Sequence, residues 1–484
     1  MSDAATQWTE AVRLSRLPRR GVLLGLSAVQ VVTVLFGVVV VVAALYVAGG
    51  RGVVWTAPVW VGAAVLTWLP VAGGPLVEWL PIASGWVRRT VTGQRAYRRR
   101  VTGPRARGSF TAPGVTGRLR YLTDPDTGAV VVHDRRQQRL IAVAEVTHRS
   151  FVLLDPADQQ RRVAGWGRVL ATACRSGRVA RVQVMERTLP GSGAGLTRWW
   201  QAHGHDDGSW VARTYQSLIE GAGPTAERHA TTISVAVDLQ TARPRGAGRG
   251  LLGAASVLAR EMDAVSSALA TADLAPVRWL TAPELAAMIR SAVDPHAAPR
   301  LDVPTPTTPG CDLDHAGAMA VTETWDGLRT DSAHHAVVWI AEWPRSPVTP
   351  EFLAPLVLSA GVTRTFTLIC DPIPTAKATR EVRRRKTEHL ADAAQRARIG
   401  QIEDLRHTAE YDDVLQQEAD LTAGHGALRY AGLIAVSAAT VDALEHAVAQ
   451  VEQAAVQASC DTRRLVGQQA AAFAAAALPL CRGI

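Results

Sequence analysis

Residues 31–55 read VVTVLFGVVVVVAALYVAGGRGVVW, a nearly continuous apolar run with one break at Gly49–Gly52. No charged residue occurs from Gly21 to Gly50. Because about 20 apolar residues span the hydrocarbon core of a bilayer, this run predicts a transmembrane helix at 21–50. The run is too long for the apolar core of a signal peptide, which has about 7–15 residues.

A second uncharged run covers 53–72 and carries Trp55 and Trp68 near its two ends. Tryptophan rings favour the membrane–water interface, so this run predicts a second transmembrane helix. Together the two runs predict a transmembrane hairpin with Gly49–Gly52 as its short outer turn. The alternative is a buried helical hairpin in the core of a soluble domain.

Arginines flank the two apolar runs asymmetrically. Only Arg51 lies between the runs, whereas four arginines precede them and six follow, at positions 13, 16, 19, 20 and 88, 89, 95, 98, 99, 100. Basic residues collect on the cytoplasmic side. The pattern therefore predicts a two-pass protein of the cell membrane, with a cytoplasmic N-terminal segment at 1–20 and the large remaining domain in the cytoplasm.

Residues 73–115 continue from amphipathic to strongly basic sequence and end in a Gly/Pro-rich linker. Interleaved aromatic and basic side chains are typical of helices that lie on anionic lipid. The alternative is a charge cluster that only sets topology. The predicted membrane-interface residues are Trp55, Trp68, Trp79, Trp86, Arg88, Arg89, Arg98, Arg99 and Arg100.

The rest of the chain predicts a mixed α/β domain of the α+β class. Short β-rich runs alternate with amphipathic helical segments, and the mean hydropathy of the whole chain is only +0.06. The sequence VPTPTTPG at 303–310 either separates two α+β subdomains, 116–302 and 311–484, or forms a long loop. The second of these carries a long, highly charged helical region at 376–422.

Charge and cysteine usage narrow the function classes. The net charge of +9 invites a nucleic-acid interpretation, but much of the excess flanks the apolar runs, where it has a topological role. Nucleic acid therefore remains a partner that the sequence allows without favouring. The five cysteines form no CxxC pair, which predicts neither a disulfide framework nor a zinc site and suits a reducing compartment.

No catalytic motif stands out. The Walker A loop G-x-x-x-x-G-K-[ST] is absent, because the only two lysines, Lys377 and Lys386, have no such context. A metal cluster at 203–207 and a triad among Asp331, Ser332, His334 and His335 are conceivable, but a polar loop and an ordinary strand explain these residues better. The sequence therefore predicts no enzyme, no cofactor and no metal.

The order of several motifs nevertheless resembles a known family. They include EWLPIASGWVRR, LRTDSAHHAVVWIAEWPR, FLAPLVLSAGVTRTFTLICDPIP and QASCDTRRLVGQQAAAFAAAALPLCRG. The chain resembles an actinobacterial two-helix membrane protein family of conjugation or type IV secretion-like clusters. Its front is similar to PrgI-type membrane subunits. Its C-terminal part is similar to the N-terminal, non-ATPase region of VirB/TraC-type conjugation ATPases, at Trp343-Pro344, 383–398, 424–430, Gln468 and Leu478-Pro479.

The resemblance implies a docking role without ATP hydrolysis, because the chain has no Walker A loop. Its expected partners are the membrane, a separate secretion or conjugation ATPase and other subunits, within an oligomeric complex. The implied docking candidates are Trp343, Pro344, Arg383, Arg384, Arg385, Gln395 and Arg398. The alternatives are an E-type membrane component of type VII secretion and, less favoured, a DNA-contacting transfer protein that uses the arginines of 88–107.

Overall fold

The computed structural model describes residues 27–71, 74–99, 107–115, 117–147, 151–205, 207–222, 227–240, 250–274, 277–301, 311–344, 346, 348–399 and 405–483. These residues belong to two compact units, Arg16–Ala96 and Tyr97–Ile484. The predicted segment 1–20, the linker 303–310 and Arg100 lie outside the described residues.

The first unit is mainly helical. Helix α1 begins after a capping box in which Ser27 and Gln30 bond each other's backbone N–H groups. The elements are α1 Ala28–Trp55, α2 Ala57–Trp68, a two-strand ladder of β1 Pro70–Val71 and β2 Gly74–Pro75, a 3₁₀ turn Leu76–Glu78 and α3 Trp79–Val91.

Helix α1 contains a sharp reversal at Gly49, whose φ of 59° and ψ of −149° are not helical. Beyond it the chain doubles back, because a Cβ built on Gly52 would lie 2.5 Å from the carbonyl oxygen of Ala44. Further along, the Gln30 Nε2 donates to the Thr67 carbonyl oxygen at 3.0 Å. The segments before and after Gly49 therefore pack antiparallel, and the sequence break at 49–52 marks this turn.

One helix among the described residues, Val29–Trp55, is long and apolar enough to cross a membrane, with a mean hydropathy of 2.8. The second predicted span, 53–72, corresponds to a shorter continuous helix, Ala57–Trp68. Helical structure continues from the Gly49 turn to Trp55 and is interrupted only at Thr56, where φ is −89° and ψ is 2°. The predicted boundary at 53 thus falls inside a helical segment.

The second unit is built on one antiparallel sheet, with fourteen strands among the described residues in the order β3-β11-β12-β13-β15-β14-β8-β9-β7-β6-β5-β4. Strand β10 pairs with β7, and β16 pairs with β13. The strands are β3 Ala96–Arg98, β4 Ser109–Phe110, β5 Leu119–Thr123, β6 Val130–Asp134, β7 Arg139–Val146, β8 Val179–Pro190, β9 Glu227–Asp238, β10 Val277–Trp279, β11 Ala320–Glu323, β12 Leu328–Arg329, β13 His334–Glu342, β14 Thr363–Ile373, β15 Ala427–Ala438 and β16 Asp461–Arg464.

Helices connect the strands, and several of them pack on the two faces of this sheet. The helices are α4 Pro156–Ser176, α5 Ala194–His203, α6 Trp210–Ala222, α7 Leu251–Thr271, α8 Ala282–Val293, α9 Ala298–Leu301, α10 Ala354–Leu358, α11 Thr375–Ile399, α12 Leu405–Thr422, α13 Val441–Gln457 and α14 Gln469–Ala476. Short 3₁₀ turns lie at Phe151–Leu153, Pro295–Ala297 and Leu313–His315. The predicted mixed α/β fold behind an N-terminal apolar helix is confirmed.

The order of elements occurs twice. The first repeat runs β5-β6-β7-α4-β8-α5-α6-β9-α7-β10-α8, and the second runs β11-β12-β13-α10-β14-α11-α12-β15-α13-β16-α14. Each contains a β-α-β-β-α-β motif with strand orders β10-β7-β9-β8 and β16-β13-β15-β14. A helical pair is inserted at the same place in both motifs.

The two repeats join through their equivalent strands β8 and β14, which pair antiparallel with Val184 opposite Leu368. Aligning the repeats by their strand pairings and by where the strands begin and end makes these two residues equivalent, so an approximate two-fold axis passes between them. The same alignment makes Gln183 equivalent to Thr367. The predicted subdomains 116–302 and 311–484 thus each hold one repeat, and a single sheet continues across both.

Three hydrophobic clusters form the core. On one face of the sheet, α4 and α7 cover the first repeat, and α10 and α13 cover the second. On the opposite face, α8 and α14 pack over the strands of both repeats, with Phe473 fully buried among them. Helix α4 shows how the sequence dictates its ends: Pro156 follows the N-cap position, and Gly177 closes the helix with φ of 59°.

Candidate functional site

Helix α3 carries the aromatic and basic residues expected at a membrane interface. The guanidinium carbons of Arg95 and Arg89 lie 4.8 and 6.0 Å from the ring centroid of Trp86. Cations over an indole face are attracted by its quadrupole, so these three side chains form one cluster. Arg88 is exposed beside it, and no residue of α3 is fully buried.

The other predicted interface tryptophans differ in exposure. Trp55, the last residue of α1, is 86% exposed, and Trp68, the last residue of α2, is 60% exposed. Trp79, at the start of α3, is half-buried. The three rings therefore lie at helix ends, where amphipathic rings would meet lipid headgroups.

Arg98 and Arg99 belong to the sheet unit rather than to the helical one. Arg99 donates from its Nη2 to the Asp314 carbonyl oxygen at 2.9 Å, and its backbone N–H bonds Met319 at 2.8 Å. Arg98 is exposed on the edge strand β3. The guanidinium of Arg99 is therefore engaged by the protein fold, which the run of arginines in the sequence did not reveal.

Trp343 and Pro344, the first docking candidates, are packed into the domain. The Trp343 ring meets Tyr430 and Phe352 with centroid distances of 5.5 and 6.4 Å. A Cβ on Gly432 would lie 2.7 Å from this ring, so the glycine makes room for it. Pro344 is buried. These contacts show that Pro344 and one side of the half-buried Trp343 ring are packed within the domain.

The remaining docking candidates lie on α11, which with α12 forms a pair that we call the charged hairpin. Arg383 and Arg384 are exposed, and Arg385 is paired with Glu381 at 2.7 Å. Lys386 and Glu418 bridge the two helices at 2.6 Å, which raises the pKa of Lys386. Arg398 is exposed near the end of α11, and the side chain of Gln395 lies outside the described residues.

The equivalent insertion in the first repeat is α5 with α6, which we call the aromatic hairpin. Its helices meet through Trp200 and Tyr215, with ring centroids 4.9 Å apart. Ala212 is its one buried residue among those described. Trp199 and Trp210 are 54% and 73% exposed. These exposed aromatic residues were not among the predicted contact residues, although the Trp199-Trp200 pair is visible in the sequence.

His335, one of the conceivable triad members, is fully buried and meets different partners. Its Nε2 lies 2.6 Å from the Thr330 hydroxyl and its Nδ1 lies 2.7 Å from the Ser437 hydroxyl. Thr330 itself donates to the Val293 carbonyl oxygen, so it accepts from Nε2–H, and Nδ1 accepts from Ser437. Burial lowers the pKa of His335 to about 3. A neutral histidine with both nitrogens satisfied is typical of a structural network.

Ser332 and Asp331 are held elsewhere. Ser332 donates to Asp294, and Asp331 pairs with Arg290 at 2.7 Å. Ser437 lines a cavity of about 210 Å³ together with Pro190, His296 and Gly361. The predicted residues are therefore not brought together as a triad.

No group of three or more metal-ligating side chains occurs within the described residues. Of the loop 203–207, Asp206 lies outside them, His203 stacks on Trp199 with centroids 5.2 Å apart, and Asp207 accepts from the Ser209 backbone N–H. The Asp207 carboxylate therefore bonds the backbone just before α6, as expected for a polar loop.

All five cysteines are free thiols, and four of them are buried. Burial raises the pKa of Cys370 and Cys481 to about 12. Thiols with a raised pKa are poor nucleophiles, so these residues serve as small core side chains.

The sequence matches no protein-family model, and no curated protein matches it significantly.

Proposed function

We propose that this chain is a membrane-anchored, non-enzymatic scaffold that docks a separate ATPase in a conjugation or type IV secretion-like apparatus. The observation that carries the proposal is the union of an apolar helical segment with a large sheet domain whose sequence has no Walker A loop. Such a chain can fix a position at the membrane but lacks the phosphate-binding loop of a nucleotide-driven motor.

Within this proposal the anchor passes the membrane twice. At about 1.5 Å per residue, the segments 28–48 and 50–68 on either side of Gly49 are about 31 and 28 Å long. A hydrocarbon core is about 30 Å thick. The turn at Gly49 lies on the outer face, and the arginines on both flanks keep both termini in the cytoplasm.

The charged hairpin is the proposed docking surface for the ATPase. It is inserted between two central strands, exposes Arg383 and Arg384, and is braced internally by the Lys386–Glu418 pair. A helical pair that is fixed by an internal ion pair and exposes charges of both signs can select a partner with a complementary charge pattern. This assignment also follows the resemblance to the non-ATPase region of conjugation ATPases.

Cysteine labelling on intact cells tests the anchor. In a Cys311→Ser background, a membrane-impermeant maleimide should label Gly50→Cys from outside and Asp412→Cys, on α12, only after permeabilisation. If only one segment crossed the membrane, positions 50 and 412 would lie on the same side of it. The maleimide would then label both positions under the same condition, which would contradict the two-pass anchor.

Nucleotide assays on the purified full-length chain test the scaffold role. We expect neither saturable ATP binding nor hydrolysis above the level of a buffer control. Hydrolysis that copurifies with the chain through successive columns would contradict the proposal.

The E-type component of type VII secretion is the second candidate, favoured by the combination of a two-segment anchor with one large domain. Isolation of the native complex separates the two. An FtsK-like ATPase accompanied by small helical-hairpin substrates would identify a type VII apparatus, and a VirB/TraC-type ATPase would identify a conjugation apparatus.

A further inference from the structure

The aromatic hairpin exposes an apolar face that the proposed docking role does not use. On α6, Val211, Tyr215 and Leu218 recur at helical spacing on one side, with exposures of 66%, 42% and 63%. Arg213 and Glu220 occupy the opposite side of the same helix. An amphipathic helix normally turns such an apolar face toward a core, yet here the face is open to solvent.

Helix α5 adds to the same surface. Leu196 and Trp199 are 48% and 54% exposed, while Trp200 reaches across to the Tyr215 ring. Arg198 lies on the other side of α5 by helical geometry. The ring contact joins the apolar sides of the two helices, so the hairpin presents one aromatic face and a separate polar one.

We propose that the aromatic hairpin rests on the surface of the lipid bilayer, with this face in the headgroup region. The inference rests on the proposed membrane anchor, because a chain held by its own apolar helix always has a bilayer within reach. Tethering raises the effective concentration of the lipid surface, so a small apolar contact suffices.

The composition of the face suits lipid. Tryptophan and tyrosine concentrate at membrane interfaces because their rings combine an apolar body with a polar tip. Two short amphipathic helices with these residues on one side match the pattern of interfacial helices. The acidic residues Asp207 and Glu220 lie in the connecting loop and on the polar side, so insertion of the face does not bury them.

A fluorescent reporter in the full-length chain tests this contact. In a Cys311→Ser background, an environment-sensitive fluorophore is placed on Leu218→Cys, on Val39→Cys in the anchor, or on Asp413→Cys in the charged hairpin. The chain is reconstituted into phosphatidylcholine nanodiscs with or without a mixture of lipids brominated near the top and near the middle of the acyl chain. We expect several-fold stronger quenching at positions 39 and 218 than at position 413.

The three positions separate the two proposals. Quenching at 39 without quenching at 218 would overturn the lipid contact while leaving the anchor intact. Lack of quenching at 39 would contradict the membrane anchor itself, and with it the inference.

A second variant guards against a fluorophore that enters lipid by itself. With Leu196→Ser and Trp199→Ser added, quenching at 218 should fall toward the level at 413, whereas quenching at 39 should not change. Unchanged quenching at 218 would mean that the apolar side chains of α5 do not hold the hairpin to lipid, and the proposal would fail.

Discussion

The aromatic hairpin and the charged hairpin occupy the same place in two repeats, yet their surfaces are opposite in chemistry. In the charged hairpin, Lys386 and Glu418 form an ion pair between the helices and Val414 is buried. In the aromatic hairpin, Trp210 and Leu218 face solvent. A site that connects two central strands tolerates insertion without disturbing the sheet, so each repeat can carry its own contact surface.

The framework behind the two hairpins is held by equivalent polar residues in the joined strands. Gln183 donates to the carbonyl oxygens of Ala475 and Leu478 and accepts from the Cys481 backbone N–H, at 2.7 to 3.0 Å. Its counterpart Thr367 donates to the Ala476 carbonyl oxygen at 2.6 Å. The last turn of α14 and the residues that follow it are therefore bonded to the central strands of both repeats.

The largest expected loss of stability comes from removing the hydrogen bonds of Gln183 in the joined strands. Replacing Gln183 with Met keeps the volume but leaves three buried backbone groups without this partner, and each such loss costs about 1–3 kcal/mol. We expect Gln183→Met to lower the free energy of unfolding by about 4 kcal/mol, measured by urea unfolding of the detergent-solubilised chain. Thr367→Val removes one bond and should cost about 1–2 kcal/mol; equal losses for the two variants would contradict the asymmetry.

A second difference between the repeats concerns pH. His335 opposes Ser437 on β13 and β15, and the equivalent pair in the first repeat is Arg139 opposite Asp238. Burial lowers the pKa of His335 to about 3, below the unfolded value of 6.5. Below pH 6.5 the unfolded chain binds a proton that the folded chain does not, so stability is lost as pH falls toward 3.

We therefore expect His335 to contribute a loss of about 2 kcal/mol between pH 6.5 and 4.5. His335→Gln should show a correspondingly shallower decline of unfolding free energy over this interval. Parallel pH profiles for the two proteins would contradict the assigned neutral state of His335.

A smaller loss of stability is expected from a substitution inside the charged hairpin. Val414 on α12 is 5% exposed, and Val414→Ala removes about two buried methylene equivalents at about 0.8 kcal/mol each. Denaturant titration should show a loss of about 1.5 kcal/mol. A neutral result would mean that the charged hairpin does not fold cooperatively with the sheet.

The smallest effect is expected for the open face of the aromatic hairpin. Leu218 is largely exposed. In the detergent-solubilised chain, Leu218→Ser should therefore change the free energy of unfolding by less than about 0.5 kcal/mol. A loss comparable to that of Val414→Ala would show that the face is packed in the folded chain and is not available to lipid.

Elements with local signals can be read from the sequence. Asp155-Pro156 and Gly177 mark the two ends of α4, and the apolar stretch 363–370 marks β14, because caps and apolar patterns act over a few neighbouring positions. The turn at Gly49 was visible for the same reason, since a glycine-rich break ends an apolar helix.

The repeat and the site environment could not be predicted in this way. Equivalence of Gln183 with Thr367, or of Arg139 with His335, depends on strand register between distant segments, and the paired residues share no chemistry. Trp343 resembled a docking residue in sequence, but only the contact with Gly432 and Tyr430 reveals that it is packed. Both the repeat and the packing of Trp343 depend on contacts between residues that are far apart in the sequence.

The charged hairpin is proposed to hold an ATPase at the membrane. The most direct test of this proposal is affinity isolation from native membranes, followed by mass spectrometry, of the wild-type chain, Arg383→Glu/Arg384→Glu and Trp199→Ser/Trp210→Ser. We predict that an ATPase accompanies the wild type and the tryptophan variant and is lost from the arginine variant. An ATPase that stays bound to the arginine variant, or one that accompanies none of the three chains, would contradict the proposal.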